Sequence, residues 1–423
     1  METLGRRNFL GLGLAGVSTL GGVRRVFARK LETMAGSPLS EASFEAMRRH
    51  YTLASEVTYF NHASIGTMPT LVREALQKYL EICESNPWRY MWGGDWDEAR
   101  ERARRRASQL LGCDPAECAL THNTTEGFNL LAAGLPLKRG DEVLFSSLNH
   151  PGASVCWFHQ SRTRGFTVRR FDFPLSKVPT FTAGDLLNTY QRQIRPQTRV
   201  LVFPHVDNSV GLRYPVKEMA ELARSRGVEF VAVDGAQAVG MIPVNVKEMG
   251  VDFYATSAHK WIQAPKGLGL LYVRKEVRDS LRPMWVTWGQ ERWAASARIY
   301  EDYGTRNLAE TLALGDALAF QKAVTPEARE TRLRALREHF RRGVARTPRL
   351  EWRSSDAKDL ISSIYAVEIK GTDSRKVFER MYRQWGFVFR PFSTPHLNTL
   401  RISPNVFNTE KEMDRFFELV AKV

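Results

Sequence analysis

Lys260 stands in the run Ser257-Ala258-His259-Lys260-Trp261, a short way after an apolar, strand-like stretch that closes on Asp234-Gly235-Ala236-Gln237. A lysine amine attacks an aldehyde, and an aspartate at a strand end can hold a protonated ring nitrogen. The two at this distance, with serine and histidine beside the lysine, suit pyridoxal 5'-phosphate (PLP): the lysine binds the cofactor covalently and the aspartate holds its pyridinium nitrogen. A lysine amine freed next to a cationic cofactor has a lowered pKa and can act as the base at a substrate α-carbon. An isolated lysine is usually a solvated surface residue, so this reading rests on the motif around it.

The elements that must position these groups are legible as alternation. Apolar or β-branched runs recur at residues 118–121, 142–145, 167–171, 200–205, 230–234, 253–256 and 269–273, with helical patterns between most of them, such as 125–133, 216–226 and 246–249. Such alternation predicts right-handed β-α-β crossovers and a seven-stranded, mostly parallel sheet covered on both faces. The run 269–273 follows its neighbour through a loop with little helical content, so it can run antiparallel. Ligands of open parallel sheets bind outside the carboxyl ends of the strands. Polar residues cluster at those ends: Asn123-Thr124-Thr125, Asn149-His150, Asn208, Asp234 to Gln237, and Ser257, His259 and Lys260. Five groups at successive ends predict one crevice. After about Thr305 the texture changes to long amphipathic helices, 308–323 and 327–341, followed by strands at 363–369 and 399–402. The expected organisation is a leader over 1–35, a segment 36–60 that packs with a small domain, a large PLP-binding domain over 61–304 and a small α+β domain over 305–423.

Composition narrows the function classes. The chain has 423 residues, 43% hydrophobic and 25% charged, an ordinary globular balance with length for two domains. A formal net charge of +15 invites a nucleic-acid reading. Most basic residues lie in mixed-charge helical stretches such as 97–106 and 327–342, the pattern of a solvated face, and no nucleic-acid-binding motif accompanies them. No nucleic-acid partner is expected. Four cysteines, Cys83, Cys113, Cys118 and Cys156, are too few for a disulfide framework; Cys113 and Cys118 are either a pair or two core thiols. No cysteine or histidine cluster proposes a metal. Arg6-Arg7-Asn8-Phe9-Leu10 precedes a glycine-rich, weakly apolar run to Val23, which reads as a twin-arginine (Tat) export signal with a small-residue cleavage site at Val26-Phe27-Ala28. Gly5 and Gly11 depart from the usual residues at their positions, and the alternative is an uncleaved N-terminus. The run is too short for a stable membrane span, which takes roughly 18 or more apolar residues. A periplasmic or secreted location follows, with the Tat export machinery as a partner.

From about Tyr59 to Phe417 the sequence resembles the class V aminotransferases, fold-type I PLP enzymes that include cysteine desulfurases and isopenicillin N epimerase. The carrying segments are Thr124 to Gly127, Asn149-His150-Pro151, His205 to Asn208, Asp234 to Val239, Ser257 to Lys260, Gly304 to Asn307 and Leu400 to Pro404. The resemblance implies that Gln237 bonds the cofactor's 3'-oxygen, with Asn208 near the same edge and within reach of the substrate carboxylate. It implies His150 stacked on the ring, worth on the order of 1 kcal/mol. Thr124 and Thr125, at a helix N-terminus that favours an anion, would hold the phosphate with Ser257 and His259. Thr305 would reach in from the second subunit of a homodimer. Arg401 would bind the substrate α-carboxylate, a bidentate task for a guanidinium. Arg306 is either a second substrate contact or a structural ion pair.

Asn61 to Gly66, together with His205 to Arg213, resembles the isopenicillin N epimerase branch, and the export signal resembles that of periplasmic pyoverdine-tailoring relatives. Sulfur-transferring desulfurases need a mobile cysteine late in the chain, and this chain has none after Cys156. Epimerisation, transamination and β-elimination of the carbon–sulfur type all remain as reactions at an amino-acid-like or peptidic substrate. A dinucleotide-binding protein is disfavoured because no GxGxxG follows an early strand; Gly11 to Gly16 fits the spacing but lies in the leader run. A non-catalytic binding protein on this fold would be expected to have lost Lys260 or Asp234. The loops 86–94, 283–293 and 386–396, rich in tryptophan, arginine and phenylalanine, are either a cationic, aromatic substrate mouth or dimer packing.

Overall fold

The computed structural model describes residues 44–423 apart from Glu45, Gly93 and Trp288. The twin-arginine leader, and the part of the 36–60 segment before Phe44, lie outside the described residues. Strand β1 (Thr58–Tyr59) is followed by β2 (Cys118–Thr121), β3 (Glu142–Ser146), β4 (Thr167–Phe171), β5 (Thr198–Pro204), β6 (Phe230–Asp234), β7 (Phe253–Ser257) and β8 (Gly269–Val273). Strands β2 to β8 form one sheet in the order β2-β8-β7-β6-β5-β3-β4. Every pairing from β7 through β4 is parallel, while β8 runs antiparallel to both β7 and β2. This is the α/β, fold-type I architecture. The β7–β8 connection is short and non-helical, and a parallel crossover needs a dozen or more residues, usually a helix. Residues of β2, β3 and β6 to β8 are buried throughout, as expected for a sheet covered on both faces.

A second sheet, in the order β12-β13-β10-β9, is built from β9 (Leu350–Trp352), β10 (Tyr365–Ile369), β12 (Arg390–Thr394) and β13 (Leu397–Ile402), all antiparallel. Strand β1 pairs in parallel with β11 (Phe387–Val388), and Asn61 bridges to Ser403. The chain before the large sheet is thereby tied to the C-terminal part. The helix Leu308–Val324 packs on the helices Thr70–Ser85 and Asp97–Leu111.

Two sequence expectations need correction. Residues 246–249 form turns, not a helix: the stretch holds one buried apolar residue, Val246, whose N–H is taken by Leu111 O, and Gly250 at φ 67° ends it. The strand expected over 363–369 begins at Tyr365, because Ser362 and Ser363 spend their hydroxyls on Gly211 O and Pro404 O. Cys113 and Cys118 are free thiols side by side, and that contact together with burial raises the Cys113 pKa.

Candidate active site

Because β8 alone is reversed, β2, β3, β5, β6 and β7 all deliver their carboxyl ends to one edge. One cleft there is lined by His150, Pro204, Val206, Asn208, Asp234, Ala236, Gln237 and Lys260. The Lys260 side chain is half-buried, and the protein crowded around its amine lowers the pKa to about 8, against the pull of Asp234 and with help from Arg401. Asp234 ends β6 with 6% exposure. One carboxylate oxygen accepts the Ala236 N–H at 3.0 Å, and the other takes no partner among the described residues.

Gln237 is fixed from two sides. Its carbonyl accepts from Trp261 Nε1 at 2.8 Å and its amide donates to Ala63 O at 2.8 Å, leaving one amide hydrogen for a ligand. His150 is exposed at the mouth; its Nδ1 accepts the Gly152 N–H at 3.0 Å, so the neutral ring carries its proton on Nε2. Crowding by the protein is the main cause of its lowered pKa, opposed by Asp234. Beside it, buried Asn149 has neither amide atom satisfied among the described residues. A buried polar group without a partner costs about 1–3 kcal/mol, so such groups ordinarily have one.

The helix Thr124–Gly134 starts next to β7. Asn123 caps it by accepting the Glu126 N–H at 2.9 Å, and Ser257 Oγ accepts the Thr124 N–H at 3.0 Å while sitting 2.8 Å from Thr124 Oγ1. The Thr125 N–H has no acceptor among the described residues, and Thr125 is exposed. An open N–H at a helix N-terminus, with two hydroxyls beside it, favours an anion. His259 is half-buried; burial and then Lys260 lower its pKa to about 4, so it stays neutral.

Arg401, 3% exposed, donates to Asn208 O and Asn61 Oδ1, each at 2.9 Å, and to Ser64 Oγ, while its Nε has no partner. Its pKa falls to about 9, from burial first and Arg390 second. The turn carrying Asn208 is shaped by Asp207, which accepts the N–H groups of Ser209, Val210 and Leu212 at 2.7, 3.0 and 2.6 Å. Thr305 and Arg306 are not in this cleft. They line a separate cavity with Trp92, Arg100, Arg298 and Asp302, and Arg306 donates to Leu120 O.

A buried lysine amine, an aspartate with an open oxygen, a glutamine with an open hydrogen and an anion-favouring helix start fit PLP. The aminotransferase class-V family model matches residues 58–416. The chain belongs to the class V aminotransferase family. Isopenicillin N epimerase of Streptomyces clavuligerus is 29% identical over 392 residues, covering 89% of this chain and 97% of that one. The same-named protein of Amycolatopsis lactamdurans is 30% identical over the same shares. The mitochondrial cysteine desulfurase of Drosophila melanogaster is 29% identical over 309 residues, 70% of this chain and 65% of that one. Among solved structures, a C-DES variant with glycine linked covalently to its PLP cofactor superposes with TM-score 0.79 at 23% identity, covering 88% of this chain and 98% of that one, a likeness of fold. This family member is a PLP-dependent enzyme.

Several residues that hold the site were not singled out as site residues from sequence. Asn61 and Ser64 lock Arg401 from 340 and 337 residues away. Trp261 fixes Gln237, and Gly66 lies so close to the Lys260 carbonyl that a Cβ would sit 2.1 Å from its oxygen. A signal existed only in part: Asn61 to Gly66 is a polar, glycine-ended run without periodicity, which marks a loop but not its partner.

Among the described residues, no group of histidine, cysteine, aspartate and glutamate is arranged to hold a metal, and no helix is long and apolar enough to cross a membrane.

Proposed function

We propose that this class V enzyme moves a proton at the α-carbon of an amino-acid-like or peptidic substrate, by an epimerase-like or aminotransferase-like reaction, as an exported, periplasmic homodimer. The observation that carries the reaction is the placement of Arg401: it donates to Asn208 O at 2.9 Å, and Asn208 lines the same cleft as Lys260 and His150. A substrate carboxylate on Arg401 therefore brings its α-carbon toward Lys260.

Bound PLP withdraws electrons from the substrate α-carbon and so eases loss of the proton there. Lys260 Nζ, half-neutral near pH 8, takes that proton and can return it. Asp234 offers its open oxygen to the ring nitrogen, where an anion favours the charged form. Gln237 and Asn208 would hold the cofactor's ring oxygen, His150 would stack on the ring, and Thr124, Thr125, Ser257 and His259 would hold the phosphate. Arg401 orients the substrate in a fixed guanidinium plane, which its three chain partners keep from swinging.

The matches to two isopenicillin N epimerases across 89% of the chain, with no cysteine after Cys156, support α-carbon chemistry over sulfur transfer. Exposed Thr305, outside its own chain's cleft, supports a phosphate site completed by a second subunit. Arg306 supports the loop through Leu120 O in this reading. The twin arginine Arg6-Arg7 supports export; replacing both with lysine should leave the enzyme in the cytoplasmic fraction, and unchanged periplasmic recovery counts against it.

The reaction is tested by incubating holoenzyme with amino acids and short peptides in heavy water. Deuterium at the α-carbon is the expected result. Inversion identifies an epimerase, an oxo acid identifies an aminotransferase, and release of a Cβ substituent identifies a lyase. A bound substrate that is converted with its α-hydrogen intact overturns the proposal.

A further inference from the structure

Arg390 and Arg401 are direct partners in the antiparallel β12–β13 pair, so their side chains leave the same face of the small sheet. The Phe392 ring lies beside the pair in reach of both, its centroid 5.9 Å from the Arg390 guanidinium carbon and 5.8 Å from that of Arg401. Like charges opposed across two strands are destabilising, and such pairs are ordinarily neutralised. Here they are not. Arg390 is exposed and makes no hydrogen bond or ion pair among the described residues. The nearby carboxylate of Asp207 is buried and committed to three backbone N–H groups, and Asp373 is engaged by Ser393.

The remaining charged groups facing this pair point the same way. Arg390 acts electrostatically on His150 as well as on Arg401, which places it at the mouth of the lysine cleft rather than on an unrelated surface. Arg401 is held in place by Asn208, Asn61 and Ser64, whereas Arg390 has only the aromatic ring. One guanidinium is fixed and one is adjustable. That combination suits a ligand with one invariant carboxylate and a second anionic group whose distance varies.

We propose that Arg390 is a specificity residue that binds a second carboxylate of the substrate, so that the enzyme takes substrates with an acidic side chain or acidic neighbouring residue. The inference rests on the reading of Arg401 as the anchor of the α-carboxylate. It adds that the substrate is dianionic at the end held by the small sheet. A neutral side chain would leave the two guanidinium groups facing each other with one carboxylate between them.

The test is a calorimetric titration of holoenzyme with amine-free acids, which separates binding from turnover. Glutarate and succinate are compared with valerate and butyrate. The unmodified protein is expected to bind the dicarboxylates more tightly than the monocarboxylates. Arg390→Gln should weaken dicarboxylate binding about 10- to 100-fold, the size of a charged hydrogen bond, and monocarboxylate binding less than about 3-fold. Arg390→Lys should restore part of the loss. Arg401→Gln should weaken both classes. Dicarboxylates binding no more tightly than monocarboxylates, or Arg390→Gln weakening both equally or neither, overturns the proposal. A selective Arg390→Gln loss with an unaffected Arg401→Gln variant would instead overturn Arg401 as the anchor while keeping Arg390. Circular dichroism of each variant confirms the fold.

Discussion

At the carboxyl edge of the large sheet, Gln237 has both amide ends bonded and Thr124 is held by Ser257, while on the small sheet Arg390 stands opposite Arg401 without a carboxylate. The large-sheet edge leaves open only the few atoms that match one fixed ligand. The small-sheet face leaves open a whole side chain. On the proposed reading this is a division of labour: the cofactor never changes and would be met by rigid groups on strand ends, whereas substrates differ and would be met partly by a group that can move.

The largest expected break in this contrast is Lys260→Ala. It removes the covalent attachment and the proton carrier together, and turnover should fall by at least about 10³-fold, the scale of losing a general base. The readout is stopped assay plus visible absorbance, and retained turnover would count against the role. Arg401→Lys comes next. It keeps the charge but not the fork held by Asn208, Asn61 and Ser64, so KM should rise about 10- to 100-fold with a smaller change in kcat. Asp234→Asn should keep the fold and lower kcat about 10-fold or more, because the ring nitrogen loses its anion; equal kcat in steady-state assays would remove Asp234 from the account.

Three smaller effects sharpen the contrast. Capture of PLP by the apoprotein should accelerate as pH rises through about 8, since the Lys260 amine attacks only when neutral and burial has brought it down from its ordinary value. The same lowering means that the unfolded chain holds the proton to higher pH. Apoprotein stability should therefore rise from about pH 8 toward the ordinary lysine range, as followed by thermal denaturation. Ser257→Ala leaves the Thr124 N–H without its acceptor and should weaken PLP binding about 5-fold, measured by equilibrium dialysis.

Much of the large sheet is legible in the sequence because a doubly covered strand is a short apolar run with a polar stop. The runs 118–121, 230–234 and 269–273 match strands residue for residue and are buried throughout. The reversed β8 is legible for a topological reason, the missing helix before it. The stretch 246–249 misled because four residues cannot distinguish a helical turn from plain turns once the cooperative nucleus is absent. The polar strand ends mark the cleft, and Lys260, Asp234, Gln237, Asn208 and His150 line it together. What holds them is not legible. Asn61, Ser64 and Ser403 act across more than three hundred residues through single hydrogen bonds, and no local pattern encodes a partner that distant. Arg390 lies in a stretch whose arginine and aromatic content is visible, but its register opposite Arg401 exists only once β12 and β13 pair.

The most direct test of the central claim is reduction of the holoenzyme with borohydride, followed by proteolysis and mass mapping of the pyridoxyl group. The account predicts that the group lies on Lys260, in the peptide that begins after the β7 strand, and is lost in Lys260→Ala. A pyridoxyl group on another lysine, or none on a protein that retains bound PLP, would contradict it.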